Sequence, residues 1–180
     1  MKSLSTFIQS NLSLTLLALL SLGALATTVK AASAAPTEER PVIAIKQTES
    51  IRVVVQVTTG EMEGDLHKGL RRVKGIVDAY LAAGVPADEI DVRAVFHGAA
   101  SDHLLTDEAW NRYKATDTGN PSRAVLDAIN ESSFQIELCD TRRQRNGWAK
   151  SDIHPEVVLV SGAYHRLADL QMRGFVYVRL

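Results

Sequence analysis

The sequence predicts an α/β fold, a three-layer α/β/α sandwich built on a mostly parallel five-stranded sheet. Strand-like and helix-like segments alternate along most of the chain, the pattern that buries a parallel sheet beneath crossover helices. The first strand candidate, "IRVVVQVT" (Ile51 to Thr58), is apolar on both faces, which suits a strand covered on either side. The first helix candidate, between Asp65 and Gly84, places Leu66, Leu70, Val73, Val77, Tyr80 and Leu81 at helical spacing with charged residues opposite. Gly84 stands where such a helix ends.

The remaining elements follow the same rhythm. "EIDVRAVFHG" (Glu89 to Gly98) is the second strand. Trp110 and Tyr113, three apart, belong to a short helix in which both serve packing. Pro121 to Asn130 is a helix with Asn120 as its cap and Pro121 in first position. "FQIELCD" is the third strand and "EVVLVSG" (Glu156 to Gly162) the fourth. A helix over Tyr164 to Met172 then leads to "GFVYVRL" (Gly174 to Leu180), the fifth strand.

Upstream of this domain the chain reads as an export signal and a tether. Lys2 precedes an apolar run, Leu12 to Ala26, too short for a membrane span, and small-x-small sites end at Ala26 and at Ala34. Residues 1 to 34 are therefore expected to be a cleaved signal, with cleavage after Ala34 preferred and an uncleaved anchor as the alternative. Residues 35 to 50, with two prolines and mixed charge, are a linker, and the domain occupies 51 to 180. The expected location is periplasmic or otherwise exported, with no membrane contact after cleavage. Loss of residues 1 to 34 removes Lys2 and Lys30 and no acid, leaving 18 basic and 21 acidic residues, a net charge of -3. Nothing in that balance provides a nucleic-acid surface.

Exported chains carry cysteines in pairs, and this one has a single cysteine, Cys139. A lone thiol in an oxidising compartment pairs between molecules, stays buried, or reacts. In a parallel sheet the loops after the strands share one edge, where ligands bind. That edge is expected to gather Thr58, Thr59 and Gly60, then His97 and Gly98, Cys139 and Asp140, and Ser161 and Gly162. A short helix from Asp140 or Thr141 through Arg145 would bring helix N–H groups and Arg142, Arg143 and Arg145 near the thiol, favouring its thiolate, while Asp140 opposes them. Cysteine at the end of a buried strand also serves as a small hydrophobe, and exposure decides between the two. His97 is a proton donor, a hydrogen-bond partner of a bound sulfur species, a ligand, or a histidine satisfied by backbone. His103 is placed in a lid or a short helix. His67, His154 and His165 read as surface or loop residues.

Other chemistries lack their signatures. "TTGEMEGD" has neither a GxGxxG nor a GK[ST] pattern, and its three acids oppose phosphate. Ser161 and Gly162 do not complete a serine-hydrolase elbow. A metal set from His97, Asp102, His103 and Cys139 has no paired-cysteine or HExxH spacing, so no metal is expected.

The segments "VRAVFHGAASDHLL", "NPSRAVLDAINESSFQIELCD" and "HPEVVLVSGAYHRLADLQMRGFVYVRL" together resemble the DsrE/DsrF-like family, in particular its exported branch. The resemblance spans most of residues 51 to 180. It is carried by His97 and Gly98 at a strand end, Asn120 before a helix and Cys139 closing a strand. Asp152 and Pro155 precede the Val-rich strand, and Leu170, Gln171, Gly174 and Phe175 stand near the end.

That resemblance implies an α/β sandwich assembling into homo-oligomers, trimers or hexamers, and a cysteine that carries sulfur as a persulfide. Cys139 and His97 take the catalytic roles, with Arg142, Arg143, Gly98 and Asn120 around the bound sulfur. The partner is a small sulfur species or a second sulfur-carrier protein, and no cofactor is needed. Two departures stand out. Cys139 is followed by Asp-Thr-Arg-Arg where relatives often have Gly or Asn, and no second thiol exists for an exchange cycle within one chain. The alternative is a non-catalytic oligomeric binding domain whose cysteine is buried and structural.

Overall fold

Five strands form a single parallel sheet, and the alternation of elements explains its order. The computed structural model describes residues 41–131 and 133–180. The expected signal, residues 1 to 34, and the start of the linker lie outside the described residues. The strands are β1 (Ile51–Val57), β4 (Ile90–Phe96), β5 (Phe134–Cys139), β6 (Val158–Val160) and β7 (Val176–Arg179). They lie in the order β6-β5-β4-β1-β7, and every pairing is parallel. The sheet grows from β1 through β4 and β5 to β6, and the chain then returns to add β7 beside β1.

Helices cover both faces. α1 (Lys68–Ala82) buries Leu70, Val73 and Val77 against one face, where Val53, Val55 and Val57 of β1 meet Val92, Ala94 and Phe96 of β4 and Ile136 and Leu138 of β5. Ala109 of α2 (Asp107–Lys114) and Leu126 of α3 (Arg123–Asp127) join that core. Each of the valine, leucine, isoleucine and phenylalanine side chains contributes about 1.5–3 kcal/mol when fully buried. On the other face α5 (Ala163–Met172) places Ala163, Leu167 and Leu170 over Val54, Val95 and Cys139. The result is the α/β/α sandwich expected from the sequence. α1 approaches β1 so closely that a Cβ at Gly69 would stand 2.3 Å from Val57 Cγ1, so only glycine fits.

Three local readings are corrected. The first helix begins at Lys68 instead of Asp65, because Gly64, with φ of +64°, turns the chain into a hairpin of β2 (Met62–Glu63) and β3 (Leu66–His67). His67 is then the N-cap, its Nδ1 accepting from the Leu70 amide at 3.3 Å. The helix expected over Pro121 to Asn130 is helical only over Arg123–Asp127 and tightens into a 3-10 turn at Ala128–Glu131. The N-cap position is Ser122, without a side-chain cap; Asn120 Oδ1 accepts the Ser122 amide at 2.9 Å, as the expected cap would, and its Nδ2 donates to the carbonyls of His103 and Leu105 at 3.1 and 2.7 Å. The histidines read as surface or loop residues differ as well. His67 is fully buried and His154 is 4 % exposed, bonded to Asp127, whereas His165 is exposed. His103 lies in a 3-10 turn, Gly98–Leu104, and is buried against His67 and Trp110.

The described part of the linker, residues 41–50, is exposed, and Ser50 ties its end to the domain through its amide on the Glu89 carboxylate at 2.7 Å. Among the described residues no helix is long and apolar enough to cross a membrane.

Candidate functional site

Because every strand of the sheet runs the same way, the segments leaving β4, β5 and β6 emerge together, and they enclose a cleft of about 600 Å³. Phe96 pairs with Leu138 and Cys139 with Val160. His97 and Cys139 therefore stand at the same level on adjacent strands, with Ser161 and Gly162 just past Val160 on the third.

Gly98 turns the chain away from β4 with φ of +65°, and a Cβ there would lie 3.0 Å from the Thr58 carbonyl oxygen. Only glycine combines that backbone with that contact. Cys139 is the last residue of β5 and stands at the N-cap position of α4 (Asp140–Arg145). It is 8 % exposed and lines the cleft.

α4 sorts its charges by side. Asp140 accepts hydrogen bonds from Arg143 Nε and Gln144 Nε2, and the Arg143 guanidinium holds its carboxyl below the usual range. Arg143 also donates to the Trp148 carbonyl, so it stitches the helix to the following turn and is not part of the cleft lining. The opposing charge expected from Asp140 is thereby paired locally. Arg142 and Arg145 do line the cleft, and neither makes a hydrogen bond or ion pair with another described residue. Arg142 Nε is buried without a partner.

α5 supplies the opposite wall. It begins at Gly162 with neither a side-chain cap nor an acidic residue in its first turn, and Tyr164 and His165 border the cleft. Thr141 Oγ1 donates to the Ser161 carbonyl at 3.0 Å, joining α4 to the loop before α5. Arg166 anchors the helix by two bonds of 2.7 Å to the fully buried Glu137, two residues before Cys139. His97 is half-buried, its ring edge-on to Tyr164 at 5.3 Å. Its pKa is lowered by burial first, and then by the positive charges of Arg179 and Arg142.

Of the residues expected from the sequence, the cleft thus gathers Cys139, His97, Gly98 and Arg142. Arg143 and Asn120 are elsewhere. Asn120, 4 % exposed, binds two carbonyls and accepts the Ser122 amide at 2.9 Å, holding loops together. Thr58 and Thr59 belong to a separate, smaller pocket beside Lys68, Arg72 and Arg179. Asp102 and His103 do not line the cleft, and among the described residues no cluster of three or more His, Cys, Asp or Glu is placed to hold a metal ion. Tyr164 and His165 were given no role by sequence reasoning. Their one signal was Gly162, a glycine between a strand and a helix on the edge already singled out.

No family model and no curated protein matches the chain. Among solved structures it is similar to a protein of unknown function, MTH1491 from Methanobacterium thermoautotrophicum, with 15 % identity and a TM-score of 0.52. The match covers 72 % of this chain and 99 % of that one, and it supports the fold alone.

Proposed function

We propose that the protein is an exported sulfur carrier of DsrE/DsrF-like type in which Cys139 holds a sulfane sulfur as a persulfide. The observation that carries this reading is the cleft's charge. Its lining combines the lone thiol with the guanidinium groups of Arg142 and Arg145 and contains no carboxylate. Such a site attracts anionic sulfur chains to the thiol.

The chemistry is a pair of exchange steps without net oxidation. The Cys139 thiolate attacks the terminal sulfur of a polysulfide, a new Sγ–S bond forms, and the adjacent S–S bond breaks. The shortened polysulfide leaves with the electron pair. An acceptor thiolate then attacks the outer sulfur and regenerates the Cys139 thiolate. His97 steadies the bound sulfur, and neither metal nor organic cofactor takes part. Residues 1 to 34 direct export and are removed, and the domain assembles into a homo-oligomer.

The 8 % exposure of Cys139 favours a second reading, a binding domain whose cysteine only packs. Cyanolysis separates the two. Polysulfide-treated, desalted protein should release about one thiocyanate per chain, and Cys139→Ser none. Equal release from both proteins, or none from either, would reject the carrier.

A further inference from the structure

A buried glutamine in β1, an interior strand of the sheet, has no packing reason to be there. Gln56 lies between Val55 and Val57 of β1, is 7 % exposed, and occupies the sheet face shared by Val54, Val95 and Cys139. An amide at such a position costs about 1–3 kcal/mol unless it is hydrogen-bonded, so an aliphatic residue would serve the core better. Both ends of this amide are engaged. Tyr177 of β7 donates its phenol to Oε1, and Nε2 lies 2.7 Å from Nε2 of His97. A relay therefore crosses three adjacent strands, β7 to β1 to the end of β4, and finishes in the cleft.

We propose that Gln56 is the positioning residue of the cleft: its amide, held by Tyr177, bonds His97 Nε2, keeps the imidazole proton on Nδ1, and makes His97 a donor towards a negative group bound beside Cys139. The direction follows from the orientation of the amide, which turns Oε1 to the Tyr177 phenol and Nε2 to the ring. An amide nitrogen accepts nothing, so the ring nitrogen facing it is the bare one. The proton then resides on Nδ1, which has no partner among the described residues. The surroundings agree with a neutral ring. Arg179 from β7 and Arg142 from α4 are the charges acting on it, the ring of Tyr164 from α5 lies edge-on, and His165 shares the cleft with no carboxylate in the lining.

The consequence is a division of labour. His97 is a fixed hydrogen-bond donor and not the base that takes the thiol proton. The significance for sulfur loading rests on the reading above, whereas the relay itself stands independently of it.

The test is the tautomer of His97, read from imidazole nitrogen chemical shifts in correlation spectra of labelled protein at pH 7.5. Wild type should show the Nδ1–H form. Gln56→Glu replaces the amide donor with a carboxylate and should move the proton to Nε2 and raise the pKa of the ring. Tyr177→Phe, at a position 40 % exposed, releases the amide from the other side and should give a mixture of tautomers even if the Gln56 variant fails to fold. An Nε2–H ring in wild type would overturn the proposal. So would spectra of His97 that neither variant changes. Rates of Cys139 alkylation against pH supply the functional arm: wild type should show one thiol step, and a low-pH plateau typical of an imidazolium–thiolate pair would also overturn it. If the tautomer results hold while cyanolysis finds no sulfur, the relay survives and the carrier reading fails.

Discussion

Cys139 combines two properties that usually exclude one another, being nearly buried and yet part of a cationic cleft. Its reactivity should depend on charge more than on access. Arg142→Ala removes a guanidinium that no described carboxylate neutralises, and it should slow reaction with a dianionic aromatic disulfide about fivefold, corresponding to ~1 kcal/mol, while iodoacetamide reacts almost as before. Equal slowing of both reagents would assign Arg142 to access and not to charge. Gly98 gives a second residue-level expectation. Gly98→Ala forces a side chain into left-handed backbone against Thr58 and should destabilise the protein by about 1–3 kcal/mol in urea titration. At this scale the sequence was informative wherever a residue sits on a strand end, as with Cys139, His97 and Gly98. It was uninformative where orientation within one helical turn decides. Arg142 and Arg143 are neighbours in α4, yet one faces the cleft and the other is spent on Asp140 and Trp148. Gln56 was invisible for a related reason, since its partners lie 41 and 121 residues away.

Among the elements, α5 is held to the sheet by Ala163, Leu167 and Leu170 and by a buried polar anchor. Arg166 lies over Glu137, and removal of the guanidinium would leave a fully buried carboxylate without its counter-charge. Arg166→Ala should therefore cost about 3–5 kcal/mol. The paired change Glu137→Leu with Arg166→Met should cost much less, because neither charge is then buried alone. Denaturant unfolding of the two variants measures the difference, and equal losses would show that the ion pair does not hold α5 to the sheet. The strands were legible because β-branched runs, or in β5 an alternation of apolar and polar residues, mark them within two residues at either end. Their order was not, since the return of β7 to the side of β1 depends on how α5 crosses the sheet. The β2–β3 hairpin was missed because its strands are two residues long, shorter than any alternation can reveal. The helix after Asn120 was overextended because Pro121 resembles a helix start, whereas residues 121 and 122 form a turn, the Asn120 side chain holding the Ser122 amide and the carbonyls of the preceding loop.

At the scale of the whole molecule, acid sensitivity follows from the buried histidines. His103 is pushed down to about 4, chiefly by burial and next by the neighbouring His67, with Asp102 opposing and Lys114 reinforcing the shift. Burial lowers His67 as well. An unfolded histidine takes up its proton near pH ~6.5, so between about pH 6.5 and 4 the unfolded chain binds more protons and the folded state loses stability as pH falls. The loss attached to His103 is about 2 kcal/mol once partial solvent screening is included. Carboxylates lowered by ion pairs, such as Asp140, act only at lower pH and do not mimic it. Urea midpoints at pH 7 and pH 4.5 should show the decline. His103→Phe should flatten it whatever its effect at pH 7, and an unchanged slope would exclude His103 as the source.

The central claim is that the thiol of this cleft accepts sulfur, and intact mass spectrometry of the purified protein after polysulfide treatment tests it most directly. The account predicts additions in whole sulfur increments on the wild-type chain, removed by reductant and absent from Cys139→Ser. A folded wild-type protein that gains no mass, or a Cys139→Ser variant that gains as much, would contradict it.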